Sequence, residues 1–236
     1  MRRRLLKYGI AIICFVLYAF LAISCGVFLP ATTTTTALSA QPGQAGSIGR
    51  GGVVEIPEQI DGDPVTVIED YAFANMQVTS VNIPSSVTSI GEYAFANNQI
   101  LNIVIPDKAV LIGNNAFANN RLTNVIIPAN VTSIGDSAFI SNQLTNIVIS
   151  DSVTSIGSYA FQTNQLASVN LGNGVKTIGD YAFEYNPLIS VTIGNNVSLG
   201  LLAIGSGFEG FYDNTDQAAG TYTRPNANSL NWTKTP

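Results

Sequence analysis

The chain has 236 residues, of which 46% are hydrophobic and only 11% charged; it contains no histidine and two cysteines. It is long enough for one or two domains with a substantial core, too apolar for disorder, and too rich in Gly, Asn and β-branched residues for a helical protein. Of its 10 Lys and Arg residues, Arg2, Arg3, Arg4 and Lys7 fall in the first seven positions, leaving 6 basic against 15 acidic residues elsewhere, a net charge of −9 with no basic stripe for DNA or RNA.

Residues 1–30, MRRRLLKYGIAIICFVLYAFLAISCGVFLP, read as an export signal or membrane anchor, with a basic start followed by an uncharged run over residues 8–29. A run of that length also suffices to span a bilayer as a helix, which takes about 20 residues. Three outcomes stay open. LAISC resembles the lipobox of bacterial lipoproteins, which would make Cys25 a lipidated first residue, although Leu21 stands four places before the cysteine instead of three. Cleavage near TALSA, beside Ala37, Ser39 or Ala40, is the second outcome, and a retained anchor is the third. All three place the body at the cell surface or outside the cytoplasm, touching a membrane only through an N-terminal lipid or helix. Residues 31–52, ATTTTTALSAQPGQAGSIGRGG, show no hydrophobic period and read as a flexible tether.

From residue 53 the sequence repeats. Phe73, Phe95, Phe117, Phe139, Phe161 and Phe183 recur every 22 residues, each preceded by alanine. Self-similarity at such a period marks a solenoid whose units cannot bury a core alone. The averaged unit is I-G-x-x-A-F-x-x-N-x-L-T-x-V-x-I-P-x-x-V-T-S, and its L-T-x-V-x-I part fits the strand pattern of leucine-rich repeats. The expected fold is a mainly β solenoid over residues 53–200, about six to seven units, each with one short parallel strand and a turn or brief helical turn on the convex side. In LTNVIIP (residues 122–128), Val125 and Ile127 should point inward and Ile126 outward, because strand side chains alternate. Val131 and Ile134 supply a second inward pair in a short extended piece, Gly135 turns the chain, and Ala138–Phe139 enter the core. The columns Val81/Ile103/Val125/Ile147/Val169/Val191 and Ile83/Ile105/Ile127/Ile149/Leu171/Ile193 form the shared core. Residues 201–236 should cap its last open end.

The inventory limits the chemistry. With no imidazole, and with thiols only at Cys14 and Cys25, the body lacks zinc sites, Cys–His or Ser–His nucleophile pairs and histidine-ligated haem. The close carboxylate pairs Asp61/Asp63 and Glu69/Asp70 fall in turns of the entry repeat and not along a groove. No catalytic residue, metal site or cofactor is expected; a polysaccharide-cleaving parallel β-helix is the remote alternative. Asn98, Asn120, Asn142, Asn164 and Asn186 form a column whose amides should satisfy turn backbone groups. Asp70, Glu92, Asn114, Asp136, Ser158 and Asp180 read as caps of the short turn, one per unit and too sparse for a calcium ladder. Tyr71, Tyr93, Tyr159 and Tyr181 should cover the convex edge.

IPEQIDGDPVTVIEDYAF (residues 56–73), followed by repeated IPxxVTSIGxxAF, resembles the BspA-type leucine-rich repeat family of surface proteins. The entry unit is five residues longer than the others, and both its IDGDPV insertion and the tail FYDNTDQAAGTYTRPNANSLNWTK are similar to segments common in that family. A departure is the asparagine column, where the family often carries cysteine. The resemblance implies a secreted or cell-surface protein, with adhesion to host matrix or to another cell surface as the expected activity. A non-catalytic structural spacer is the alternative.

If a protein ligand binds, the strand-lined concave face is where it should sit. One outward column is Asn82, Val104, Ile126, Val148, Asn170 and Thr192, and its neighbour is Ser80, Asn102, Asn124, Asn146, Ser168 and Ser190. The candidate binding residues are Asn82, Asn102, Val104, Asn124, Ile126, Asn146, Val148 and Asn170.

Overall fold

The computed structural model describes residues 52–235, so residues 1–30, read as an export signal or anchor with Cys25, and all of the expected tether except Gly52 lie outside the described residues. Gly52 itself already belongs to a strand, Gly52–Glu55.

Each 22-residue unit forms one coil of a solenoid, and the constant period keeps equivalent residues in register. The V-T-S-I-G piece, expected only as a short extended segment, builds the larger of two sheets. It runs as seven two-residue strands: Val67–Ile68, Ser89–Ile90, Leu111–Ile112, Ser133–Ile134, Ser155–Ile156, Thr177–Ile178 and Ser198–Leu199, all parallel. The isoleucine of each pair points inward and is buried from Ile68 to Ile178, while its partner faces out, as the pleat requires.

The L-T-x-V-x-I piece builds the second sheet. Asn124–Ile126, Asn146–Val148, Ser168–Asn170 and Ser190–Ile193 pair in parallel, and Gly220–Thr223 and Thr233–Lys234 extend the sheet antiparallel. Gly52–Glu55 and Val78–Asn82 form a separate parallel pair. Between the two groups, residues 102–104 form no paired strand, which corrects the expected continuous ladder through Asn102 and Val104. Inward and outward sides still alternate there, with Ile103 and Ile105 buried and Val104 exposed. This coil is tied to the next through the Ile100 and Leu101 carbonyls, which accept from the Arg121 and Thr123 N–H groups at 3.0 and 3.3 Å. Leu101 also lacks the hydroxyl with which Thr145 bonds the Thr123 carbonyl in the following coil.

The turn through Ala138–Phe139 is a pair of β-turns and not a helical one. Ala138 N–H donates to the Gly135 carbonyl and Ile140 N–H to that of Ser137, at 3.3 and 3.2 Å. Ser137 and Ser141 take left-handed φ values of 55° and 54°, as do the equivalent residues of other coils. Those values cost roughly 1–2 kcal/mol per non-glycine residue. The gain is direction: Ser137, Phe139 and Ser141 donate to the Ser158, Ala160 and Gln162 carbonyls of the next coil at 2.8, 2.8 and 3.0 Å. A helix would aim those N–H groups along its own axis and leave the stack unbonded. Tyrosine at this position stacks on its neighbour where two follow in succession, Tyr71 on Tyr93 at 4.8 Å and Tyr159 on Tyr181 at 5.3 Å.

The core follows the sequence columns. Both Val/Ile columns are buried throughout, and the six phenylalanines form one stack with centroids 5.1–5.4 Å apart. The repeat glycine has a packing role. A Cβ on Gly135 would stand 2.6 Å from the Gly113 carbonyl carbon and 2.7 Å from Asn114 N, both backbone atoms of the preceding coil. In the first described coil, which has no described coil before it, the equivalent position is Glu69. Gly135→Ala should therefore cost about 1–3 kcal/mol by overpacking. Gly210→Ala, inside the helix Phe208–Asn214 with nothing within 4 Å of the added carbon, should instead stabilise by about 0.5–1 kcal/mol. Urea midpoints of the two variants check both signs.

The ends depart from the repeat. The longer entry unit contains a hairpin, Gln59–Ile60 against Asp63–Pro64, turning at Asp61 and Gly62 with φ 54° and 90°. Two positive φ values are the type I′ requirement that Asp-Gly meets. At the other end, Phe208, Tyr212, Tyr222 and Trp232 are buried against the last coil. Tyr212 Oη donates to the Gly194 carbonyl at 2.6 Å and accepts from Val197 N–H at 3.2 Å. Arg224 lies over the Trp232 ring at 4.7 Å and donates from Nε to the Leu188 carbonyl at 2.6 Å.

Candidate functional site

The conspicuous polar columns are largely consumed by the scaffold. Asn142 Oδ1 accepts from Leu122 N–H at 3.0 Å, and its Nδ2 donates to the Phe117 and Phe139 carbonyls at 3.0 and 3.1 Å. Asn98, Asn120, Asn164 and Asn186 repeat this bridge, each tying two coils. The acidic column does cap backbone N–H groups, but those of the next coil and not of its own turn. Asp70 Oδ1 accepts from Glu92 N–H, Asn114 from Asp136, Asp136 from Ser158 and Asp180 from Leu201, all at 2.7–2.9 Å. Asp70, Asp136 and Asp180 therefore clamp the stack, and among the described residues no three His, Cys, Asp or Glu side chains gather as a metal site.

An open groove of about 480 Å³ runs along the larger sheet, lined by Ser133, Ser155, Thr177, Gly135, Gly157 and Asp136 among others. Its glycines are fixed by coil packing, and its Asp136 Oδ1 is engaged by Ser158 N–H.

The second sheet presents a different surface. Val104, Ile126 and Val148 are 81%, 60% and 50% exposed, which is high for aliphatic side chains sharing one column. Register places Ile126 beside Val148, Asn124 beside Asn146, and Val148 beside Asn170. Asn82 lies in the separate pair with Gly52–Glu55, and Asn102 and Val104 stand on the unpaired coil between. Thus five of the eight candidate residues share one hydrogen-bonded ladder, while Asn82, Asn102 and Val104 keep the outward side without it. The outward residues Ser80, Asn82, Asn102, Val104, Asn124, Ile126, Asn146, Val148, Ser168, Asn170, Ser190 and Thr192 include no charge. Burial raises the pKa of the Glu209 carboxyl and lowers that of the Arg224 guanidinium, both in the C-terminal segment.

The coil that carries Val104 exposes three more aliphatics outside the predicted columns, Leu101, Val110 and Leu111, all near half exposed. The signal was present, since this coil writes A-V-L-I-G where its neighbours write V-T-S-I-G.

The comparisons agree with this architecture. Residues 66–190 match the model of the BspA type leucine rich repeat region in six copies. A leucine-rich repeat protein of T. pallidum is 34% identical over 64% of this chain and 74% of that one, with a TM-score of 0.56. The pneumococcal vaccine antigen PcpA is 24% identical over 68% of this chain and 43% of its own, at a TM-score of 0.55, and shares the fold. A leucine-rich repeat protein of Bacteroides ovatus is 26% identical, with a TM-score of 0.49, over 64% of this chain and 48% of that one. The chain thus covers about half or less of two of these three proteins. No curated protein matches the chain. Six matched copies, over more than half of the sequence and on this fold, place the chain in the family of BspA-type leucine-rich repeat proteins.

Proposed function

We propose that the chain is an exported, non-catalytic protein of the cell surface whose second sheet binds a protein ligand, on host matrix or on another cell. The observation that carries this reading is the exposed column Val104, Ile126 and Val148, set among outward strand positions from Ser80 to Thr192 that carry no charge. The basic and apolar N-terminal segment, with Cys25 as its lipidation candidate, supports export. The energetics favour a weak, multivalent contact. Burying three aliphatic side chains contributes about 5–9 kcal/mol, whereas association costs an estimated 4–15 kcal/mol. The Asn, Ser and Thr rim must then supply hydrogen bonds, and many copies on one surface would raise the avidity.

Uncharged surroundings of Val104, Ile126 and Val148 make a specific prediction. Ligand retention by this protein should change less than about twofold between roughly 0.05 and 0.5 M salt, a range over which screening removes exposed ion-pair attraction. Retention that falls steeply with salt would move the contact to the acidic turns. A protein that retains no matrix or cell-surface ligand under any salt condition supports the spacer reading instead.

A further inference from the structure

The loop after strand Ser168–Asn170 holds the only Asn–Gly pair of the sequence, Asn173–Gly174. Asn173 is exposed. Its backbone N–H donates to Asp151 Oδ1 at 2.8 Å. Among the described residues, neither its side-chain amide nor the Gly174 N–H has a hydrogen-bond partner. Coil packing dictates the glycine, because a Cβ there would collide with the Asp151 carbonyl oxygen. No side chain can therefore shield the Gly174 nitrogen.

We propose that Asn173 is a hydrolytic modification site, at which the chain converts an amide into a carboxylate without an enzyme. The Gly174 nitrogen attacks Asn173 Cγ, forming the N–C bond of a five-membered succinimide. The bond from Cγ to Nδ2 breaks, and ammonia leaves with the proton lost by Gly174. Solvent water then opens the ring at either carbonyl, giving aspartate or its iso form, in which the backbone runs through the former side chain. One water is consumed and one ammonia released, and nothing is oxidised.

The neighbouring asparagines are protected. Asn124, Asn146 and Asn170 precede Val125, Ile147 and Leu171 and lie within paired strands. Asn195 precedes another asparagine, and its Oδ1 accepts from Ala219 N–H. The repeat also shows what the product does. Asp107 and Asp151 stand at the equivalent position of earlier units, so aspartate at 173 fits the coil. The iso form adds a backbone atom between Asn173 Cα and the Gly174 nitrogen, where the chain already packs against the Asp151 carbonyl of the preceding coil. Modification thus adds a negative charge just past the end of strand Ser168–Asn170 and, in the iso form, lengthens the backbone against the preceding coil. The chemistry stands whether or not the second sheet binds a ligand.

Incubation of the intact protein in mildly alkaline buffer, followed by peptide mapping with mass spectrometry, tests this. Conversion at Asn173 should run about tenfold faster than at Asn195, a barrier difference of roughly 1.4 kcal/mol. The product should contain both aspartate and its iso form, and Asn173→Gln should abolish the acidic species that forms first on ion exchange. Conversion at Asn173 no faster than at Asn195 or Asn228 would overturn the proposal.

Discussion

Asn142→Asp should destabilise the protein by about 3–5 kcal/mol, the cost of leaving an uncompensated charge in a buried setting. The substitution is isosteric, so packing does not confuse the result. Asn142 is 7% exposed and serves both directions of the stack, accepting from Leu122 N–H and donating to the Phe117 and Phe139 carbonyls. Aspartate keeps the acceptor, but its second oxygen faces two carbonyl oxygens that it cannot satisfy. Asn186 makes the same three contacts at 2.9–3.0 Å in a half-buried position nearer the end of the stack. Asn186→Asp should therefore cost less, about 1–2 kcal/mol, because solvent reaches the group and screens it. Urea titrations followed by far-UV circular dichroism measure both, and equal losses would show that burial does not set the penalty.

Phe139→Ala should cost about 3–5 kcal/mol from lost transfer energy and the cavity left behind. It also breaks two ring stacks, with Phe117 and Phe161, each at 5.3 Å, worth about 0.5–1.5 kcal/mol apiece. Phe73 ends the column and stacks on Phe95 alone, so Phe73→Ala should cost about 0.5–1.5 kcal/mol less, the value of one stack. Hydrogen exchange separates the two variants. Loss at Phe139 should open the neighbouring coils on both sides, because a solenoid propagates stability only between neighbours. Exchange accelerated only within residues 135–142 would contradict that coupling.

The two variants probe features that were legible before the structure, for a common reason. A 22-residue period fixes which side chains superpose, so the phenylalanine stack and the Val/Ile columns follow from spacing alone. The Asn142 amide was legible by elimination, since a polar group set in an apolar column must bond backbone. What spacing could not show is how far apart the coils sit. Gly135 looked like a turn residue, yet the requirement at that position is the backbone of the preceding coil 2.6 Å from a would-be Cβ. The acidic caps were read within their own turn for the same reason, whereas Asp136 reaches Ser158 of the next coil. The turn at Ala138–Phe139 looked helical because its residues permit a helix. Inter-coil hydrogen bonding selects left-handed Ser137 and Ser141 instead. The Asp61–Gly62 hairpin was not among the expected elements either, although Asp-Gly between two short strands is a hairpin signal.

The candidate face divides the same way. Strand alternation gave the outward positions Asn82, Val104, Ile126, Val148 and Asn170, all of which are exposed. It gave no warning that the ladder breaks at residues 102–104, because burial alternates there as it does in a paired strand. Pairing depends on two coils approaching within hydrogen-bond distance, and a one-dimensional pattern contains no such distance.

The central claim, that the face carrying Val104, Ile126 and Val148 holds the ligand, rests on Ile126. Binding of immobilised matrix protein should be compared among the parent, Ile126→Asp and Thr177→Asp, each verified by an unchanged far-UV spectrum. Thr177 is exposed on the other sheet, so both variants add one carboxylate to a strand, but only Ile126→Asp also removes an aliphatic side chain from the candidate face. Ile126→Asp should weaken binding by about tenfold or more, roughly 1.4 kcal/mol, with Thr177→Asp matching the parent. Equal binding by all three proteins, or a loss confined to Thr177→Asp, would contradict the claim.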